Sequence, residues 1–220
     1  MELKIIEQSA RLITDPEVID TWFPQNLEYA GRVCTGTESM TGRSEESTYD
    51  FLKRLMNSKH MSVFEHCSVT VELVTNRAIT HQLVRHRIAA YSQQSMRYVK
   101  FTSKRGSELF AIIKPHNYDE WDEMIQFSWR ASMEKSMYAY AELVDEGLPA
   151  EQARGVLPHD TATKLIATWN LRELLHIFFD PECGRLMNKH AQPQVRDLMR
   201  KLADDMMSRS KFLNWLIENA

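Results

Sequence analysis

One short segment of the chain concentrates side chains that bind phosphorylated ligands. Residues 85–87 read Arg-His-Arg, and after seven residues positions 95–97 read Ser-Met-Arg; a tyrosine, a serine and two glutamines lie in between, and a second tyrosine follows at 98. Guanidinium groups bind phosphate in a bidentate manner and stay charged when desolvated. Serine and glutamine satisfy sugar hydroxyls or base edges without adding charge, and tyrosine or histidine can stack on planar rings. These residue types indicate a pocket for a phosphorylated ligand with a flat polar heterocycle.

The same cluster also permits a purely structural interpretation. Arg85 and Arg87 lie at the end of a predicted helix, where a cation is stabilised by about 0.3–1 kcal/mol at the negative end of the helix dipole. On chemistry alone the two interpretations are equally good. His66 and His81 are expected to be structural histidines, and Cys67 is expected to be a small buried hydrophobe.

Composition excludes several classes of protein. A net charge of −3 leaves no global basic field for gripping long nucleic acid. Three cysteines without a CxxC pair disfavour a disulfide framework and a cysteine-based zinc site, so we expect no metal and a reducing, cytoplasmic location. We also expect no secretory signal, no membrane helix, and neither a dinucleotide nor a P-loop glycine motif.

The elements that must position the cluster are predicted to be mostly helical. Residues 4–14 predict a strand, and apolar alternation at 69–73 predicts a second strand. The cluster begins at the end of a helix predicted over 77–87; residues 89–95 are expected to be irregular, and 96–102 to form a strand. Further helices are predicted over 17–34 (broken near Pro24), 119–146, 150–154, 171–179 and 191–217.

No repeat or shift in composition divides the chain. The sequence therefore predicts one α+β domain over residues 1–220, rich in helices and with a modest antiparallel sheet.

Five ordered segments resemble the flavin-dependent thymidylate synthase family. The Arg-His-Arg, seven residues, Ser-x-Arg pattern is similar to the signature of that family. The other similar segments are HMSVFEH at 60–66, ARGVLP at 153–158, TWNLRELLH at 168–176, and Ala191-Gln192 with Val195-Arg196. Their order and spacing also resemble those of the family.

The resemblance implies an enzyme that converts dUMP to dTMP. It implies FAD as cofactor, methylenetetrahydrofolate as one-carbon donor and NADPH as reductant. It also implies a homotetramer with active sites assembled from several subunits, and neither a nucleic-acid polymer nor a membrane as partner. In cofactor enzymes of this kind the protein binds, orients and polarises while the cofactor carries the chemistry.

The resemblance further implies roles for individual residues. Arg185 is the catalytic candidate, because a cation beside the uracil ring stabilises the deprotonated pyrimidine and raises the nucleophilicity of C5. The implied flavin-binding residues are Ser62, Arg85, His86, Arg87, Gln93, Asn170, Leu171, Arg172 and His176. The implied substrate-binding residues are Gln82, Arg85, Gln93, Gln94, Ser95, Met96, Arg97, Arg154 and Arg185.

Two departures from the family pattern leave part of the assignment open. Gln93 stands where many members have glutamate, and Arg185 is displaced from the commoner spacing before Ala191, so Lys189 or His190 could serve in its place. A relative that acts on another pyrimidine nucleotide, or that forms a hydroxymethyl product, is the competing enzyme hypothesis. A non-catalytic nucleotide- or RNA-binding module and a structural oligomeric domain are the non-enzymatic hypotheses, which the matches outside the arginine cluster disfavour.

Overall fold

The computed structural model describes residues 3–98 and 111–220. A small antiparallel sheet of four strands has the order β2-β3-β6-β4. Its strands are β2 (Ser9–Leu12), β3 (Ser68–Asn76), β4 (Ala89–Gln93) and β6 (Ala162–Asn170). A second sheet pairs β1 (Lys4–Ile6) with β5 (Ala111–Ile113) in parallel, with Lys4 opposite Ala111 and Ile6 opposite Ile113.

Helices make up most of the remaining regular structure. They are α1 (Pro16–Val33), α2 (Glu45–Asn57), α3 (Arg77–Leu83), α4 (Glu123–Asp145), α5 (Ala150–Ala153), α6 (Leu171–Phe179), α7 (Pro193–Arg209) and α8 (Lys211–Glu218). The predicted helix-rich α+β fold with a modest antiparallel sheet is confirmed. Within the described ranges, no helix combines the length and the apolarity needed to cross a membrane.

Local capping explains where several helices begin. Pro16 occupies the first helical position of α1, and Asp15 precedes it as the cap. The Asp15 side chain accepts from the Glu17 N–H. Ser44 and Asn170 cap α2 and α6 in the same way, through the N–H groups of Ser47 and Glu173. Hydrogen-bonding residues at these positions satisfy backbone donors that have no partner within the helix.

The described residues form two compact units. The first contains residues 3–9, 73–85, 92–98 and 111–165, and the second contains 10–72, 86–91 and 166–220. In the first unit, Met96, Tyr140 and Ala153 form a buried cluster. The partly buried side chains that pack against it are Leu143, Val144, Leu148 and Leu157. In the second unit, α1 packs against α2 and α8, and Phe64, Trp169 and Phe178 are fully buried. The expectation of a single domain over 1–220 stays a prediction.

Several element boundaries differ from those predicted. Residues 89–93 form β4 rather than an irregular segment, because pairing with a neighbouring strand decides strand structure more than residue type does. α3 ends at Leu83, and α1 continues through Pro24. The predicted last helix is divided at Ser210, whose backbone is extended and whose hydroxyl caps α8 through the Leu213 N–H. Residues 96–98 form a turn rather than a strand, and the rest of that predicted strand lies outside the described residues.

Candidate functional site

His86 is the middle residue of the Arg-His-Arg triplet at 85–87, and hydrogen bonds fix its ring at both nitrogens. It belongs to the second unit and is 5% exposed. Arg185 Nε donates to His86 Nε2 at 3.2 Å, and His86 Nδ1 lies 3.2 Å from Glu173 Oε1. Because Nε2 accepts from a guanidinium, Nδ1 carries the ring proton and donates it to Glu173.

The imidazole of His86 is neutral at neutral pH. Burial, and then the neighbouring Arg185 and His176, lower the pKa of His86 to about 4. The contact with Glu173 is therefore a hydrogen bond from a neutral ring rather than an ion pair. The neutral His86 ring therefore adds no positive charge beside Arg185, and among His86, Arg185 and Glu173 the Arg185 guanidinium is the positive group.

The main chain of His86 is anchored as well. The Tyr91 hydroxyl donates to the His86 carbonyl oxygen at 2.8 Å and accepts from Trp169 Nε1 at 3.0 Å. Trp169 is fully buried, so Tyr91 connects His86 to the core of the second unit. The sequence suggested a ligand-stacking role for tyrosines of this segment, whereas here the Tyr91 hydroxyl has a supporting role.

The implied flavin residues of the second unit lie on and around α6. Arg172 is exposed and its Nη1 pairs with Glu65 Oε1 at 2.6 Å, while His176, one turn later, is partly exposed. Asn170 caps the helix, and the Leu171 side chain is fully buried and faces the core. Ser62 and Arg87 are exposed, Ser62 on the 3-10 turn Met61–His66.

Arg172 and His176 line a cavity of about 500 Å³. Its walls combine apolar and polar side chains, the size and character usual for small-molecule sites. The other lining residues are Met56, Asn57, Lys59, Met61, Leu175, Phe179, Asp180, Asn219 and Ala220.

Sequence reasoning missed the contribution from the end of α2. Lys59 follows the last turn of that helix with φ 61°, a left-handed conformation that costs a non-glycine residue about 1–2 kcal/mol. A lysine held in this conformation places a cation at the cavity. The one signal for it in the sequence is its position directly before the family-like segment 60–66.

The implied substrate residues of the first unit surround the turn after β4. Gln93 Nε2 donates to the hydroxyls of Thr80 and Thr163 at 3.0 and 3.3 Å. The Arg97 N–H donates to Ser95 Oγ at 3.1 Å, and Met96 is buried in the core. Buried Met96 thus anchors a turn whose flanking residues carry the polar side chains.

Arg97 and Arg154 converge on one acidic residue. Arg97 Nε lies 3.5 Å from Glu151 Oε2, and Arg154 Nε donates to the Glu151 carbonyl oxygen at 3.1 Å. Both arginines are exposed. Of the other implied substrate residues, Arg85, two residues after the end of α3, is exposed, and Gln82 of α3 is partly buried.

Arg77 adds a further arginine that sequence reasoning did not select. Its Nη2 donates to the Gln94 carbonyl oxygen at 3.0 Å, and its buried Nε has no hydrogen-bond partner among the described residues. Burial, together with the charge of Arg154, lowers the pKa of Arg77. Arginines that repel one another around a turn of polar groups are typical of an anion site.

The structure also bears on the choice between Arg185 and its neighbours. Arg185 contacts His86 of the arginine cluster, whereas Lys189 and His190 are exposed. This contact favours Arg185 as the functional cation, and its catalytic role stays a prediction.

The two groups of arginine and amide side chains are of the kind expected in a protein that binds phosphorylated ligands. Comparison with known proteins identifies the family. The chain matches the model of the thymidylate synthase complementing protein family over residues 17–209. It belongs to that family, and the predicted family membership is confirmed.

Curated relatives of this chain are flavin-dependent thymidylate synthases. The chain is 36% identical over 174 residues to the enzyme of Pyrococcus furiosus, covering 79% of this chain and 68% of the relative. It is 46% identical over 149 residues to that of Geobacter sulfurreducens, covering 67% and 60%. It is 36% identical over 203 residues to that of Clostridium tetani, covering 83% and 75%.

A solved structure shares the fold. The UMP/dUMP methylase PolB from Streptomyces cacaoi, bound with 5-Br dUMP, matches 98% of this chain and 97% of its own chain with a TM-score of 0.77. The two sequences are 21% identical, so this likeness concerns the fold alone.

Proposed function

We propose that this protein is a flavin-dependent thymidylate synthase that converts dUMP to dTMP. Methylenetetrahydrofolate is the proposed one-carbon donor, and NADPH is the proposed reductant through FAD. The observation that carries the proposal is the family match over residues 17–209, together with relatives of this activity that are 36–46% identical.

The donor set of the second unit fits a flavin nucleotide. The cavity beside α6 offers the apolar side chains of Met56, Leu175 and Phe179 for a flat ring and the cations Lys59 and Arg172 for phosphate groups. We assign these residues, with His176, to FAD. When bound, the flavin supplies the hydride and the one-carbon transfer chemistry, and the protein residues bind and orient it.

The first unit supports binding of the nucleotide phosphate. Arg97 pairs with the Glu151 carboxylate and Arg154 with the Glu151 carbonyl oxygen, and a phosphate group would give both arginines a stronger partner. Arg77 adds positive charge beside the same turn, and the Ser95 hydroxyl adds a donor. We assign Gln82, Gln93 and Gln94 to binding of the base and the sugar.

Arg185 is the proposed catalytic residue. A guanidinium at the uracil ring stabilises negative charge on the deprotonated base and so raises the nucleophilicity of C5. His86 Nε2 accepts from Arg185 Nε and thereby fixes the plane of the guanidinium. Glu173 holds His86 in the tautomer that makes this acceptance possible.

The surface of α1 supports the proposed homotetramer. Val18, Trp22, Tyr29 and Val33 are 46–53% exposed and recur at helical spacing along one face of the helix. A stripe of large apolar side chains of this kind marks an interaction surface. We propose that copies of this chain associate and that each active site contains residues from several of them. We also propose a cytoplasmic location, since the three cysteines are free thiols.

Visible spectroscopy on the purified chain tests the function. With FAD supplied, we expect a flavin spectrum that dUMP perturbs, and a product with the mass of dTMP once methylenetetrahydrofolate and NADPH are added. Perturbation by UMP but not by dUMP would assign another pyrimidine nucleotide as substrate, and a heavier, hydroxylated product would indicate hydroxymethyl transfer. No uptake of flavin would contradict the proposal.

A further inference from the structure

Three side chains of metal-binding type meet at the carboxyl end of α6. Cys183 Sγ lies 3.2 Å from His176 Nε2 and 3.2 Å from Asp180 Oδ1. One ligand atom of each residue lies within 4.8 Å of the ligand atoms of the other two. A thiol, an imidazole and a carboxylate are the three ligand types that zinc sites of proteins use.

The turn after α6 holds these groups together. Asp180 Oδ1 accepts the N–H groups of Glu182 and Cys183 at 2.9 and 2.8 Å, which folds Cys183 back towards the helix. The Gly184 N–H donates to the Asp180 carbonyl oxygen at 3.0 Å, and a Cβ at position 184 would lie 2.3 Å from that oxygen. Only glycine fits this approach, so backbone geometry maintains the cluster.

Asp180 also orients the histidine. Its Oδ2 lies 3.4 Å from His176 Nδ1, so the carboxylate faces one ring nitrogen while Nε2 points to the cysteine.

We propose that, in the flavin-free chain, His176, Asp180 and Cys183 form a binding site for a divalent transition-metal ion of the zinc type, with His176 a ligand of the ion there and a contact of FAD when the cofactor is bound. Three protein ligands leave a fourth, open position for water or another small ligand. The mixed sulfur, nitrogen and oxygen set selects zinc-type ions over Mg²⁺ or Ca²⁺, which prefer oxygen ligands. Cys183 is exposed, and His176 and Asp180 are partly exposed, so an ion reaches the site from solvent.

A second possible triple, His86, Glu173 and His176, shares a histidine with this one. In that triple, Arg185 donates to His86 Nε2, and His86 Nδ1 faces Glu173. Arg185 occupies Nε2 of His86, and its guanidinium repels a second cation there. The geometry therefore places the ion at Cys183 and Asp180 rather than at His86.

Metal titration of the flavin-free chain tests the site. After treatment with chelator, we expect one equivalent of Zn²⁺ to bind per chain, and Co²⁺ in its place to give the near-ultraviolet charge-transfer band of a thiolate ligand. Cys183→Ser should abolish that band and weaken Zn²⁺ binding by about 100-fold. Asp180→Asn keeps a side-chain oxygen that accepts from the N–H groups of the turn, and it should weaken Zn²⁺ binding by less than Cys183→Ser does.

Cys34→Ser is the matched control, because Cys34 is also an exposed free thiol but lies at the end of α1. It should bind both ions as the native chain does. The proposal is overturned if the native chain binds no stoichiometric Zn²⁺, or if Cys183→Ser, folded by circular dichroism, keeps the native affinity. The measurement needs neither flavin nor nucleotide, so its failure and failure of the proposed synthase activity are separate results.

Discussion

Glu173 Oε1 and His86 Nδ1 lie 3.2 Å apart, and both side chains are buried. The same histidine accepts from Arg185 through its other nitrogen, so one chain of hydrogen bonds connects a carboxylate, an imidazole and a guanidinium. Glu173 is also the third residue of α6, and its N–H donates to the Asn170 cap. The start of α6 therefore fixes both the helix and the tautomer of His86.

Removal of the Glu173 carboxylate should reduce turnover more than substrate binding. In Glu173→Ala the buried Nδ1–H of His86 loses its acceptor, which costs about 1–3 kcal/mol and releases the ring that orients Arg185. We expect kcat for dTMP formation to fall by about 10–100-fold, with little change in KM for dUMP. Glu173→Gln offers an amide oxygen as acceptor and should restore most of the activity. Equal losses in both variants would assign Glu173 a role through its charge instead.

The identity of the functional cation near residue 185 is open to a direct test. Arg185→Ala should lower kcat by about 100-fold, because the group that stabilises the charged base is lost, and should affect dUMP affinity less. Lys189→Ala, which removes an exposed side chain, should leave kcat unchanged. The opposite pattern would place the catalytic cation at Lys189 and contradict the assignment of Arg185.

Elements with a local chemical signal were predictable from the sequence. Asp15-Pro16 begins α1, Ser44 caps α2, and Gly147 follows the end of α4 with φ 98°. β4 was not predictable, because its segment is polar and becomes a strand only through pairing. The break at Ser210 also depends on a distant residue, since the Ser210 hydroxyl bonds to Asp20 of α1.

The residues of the candidate site also divide into those with a local signal in the sequence and those that depend on tertiary contacts. Spacing within the sequence was enough to select the arginine cluster and the residues of α6. Lys59, Arg77 and Glu173 were not selected. Lys59 lines the cavity beside α6, and Arg77 and Glu173 contact the cluster, in each case together with residues of other segments. Glu173 even lies within the family-like segment 168–176, but its contact with His86 is visible only in the tertiary structure.

Substitution of Arg97 should weaken nucleotide binding while the fold survives. Its pair with Glu151 spans 3.5 Å between half-exposed side chains, and such pairs contribute about 0–1 kcal/mol to stability. A lost charge-assisted bond to phosphate is worth about 1.5–3 kcal/mol, so Arg97→Ala should raise the Kd for dUMP by roughly 10–100-fold in a calorimetric titration. Arg200→Ala, which removes another exposed, paired arginine, is the control and should bind dUMP normally. Unchanged affinity in Arg97→Ala would remove Arg97 from the phosphate site.

A buried ion pair in the second unit should make stability depend on pH. Glu28 accepts from Arg32 at 2.7 Å, from the Thr48 hydroxyl at 2.6 Å and from the Gly42 N–H at 3.0 Å. Burial alone would raise the pKa of Glu28, but these hydrogen bonds and the charge of Arg32 outweigh it and lower the pKa.

A carboxylate whose pKa is lower in the folded than in the unfolded chain stabilises the fold above its unfolded pKa. This contribution disappears as the pH falls through the folded pKa. Glu28→Gln leaves Arg32 buried without a counter-charge, so we expect a loss of about 3–5 kcal/mol in the free energy of unfolding at neutral pH. Urea unfolding should show the difference between native and variant shrinking in acid, whereas Glu38→Gln, on an exposed turn, should follow the native curve. If the difference in the free energy of unfolding between native chain and Glu28→Gln stayed constant from neutral pH into acid, the charge of Glu28 would not contribute to stability.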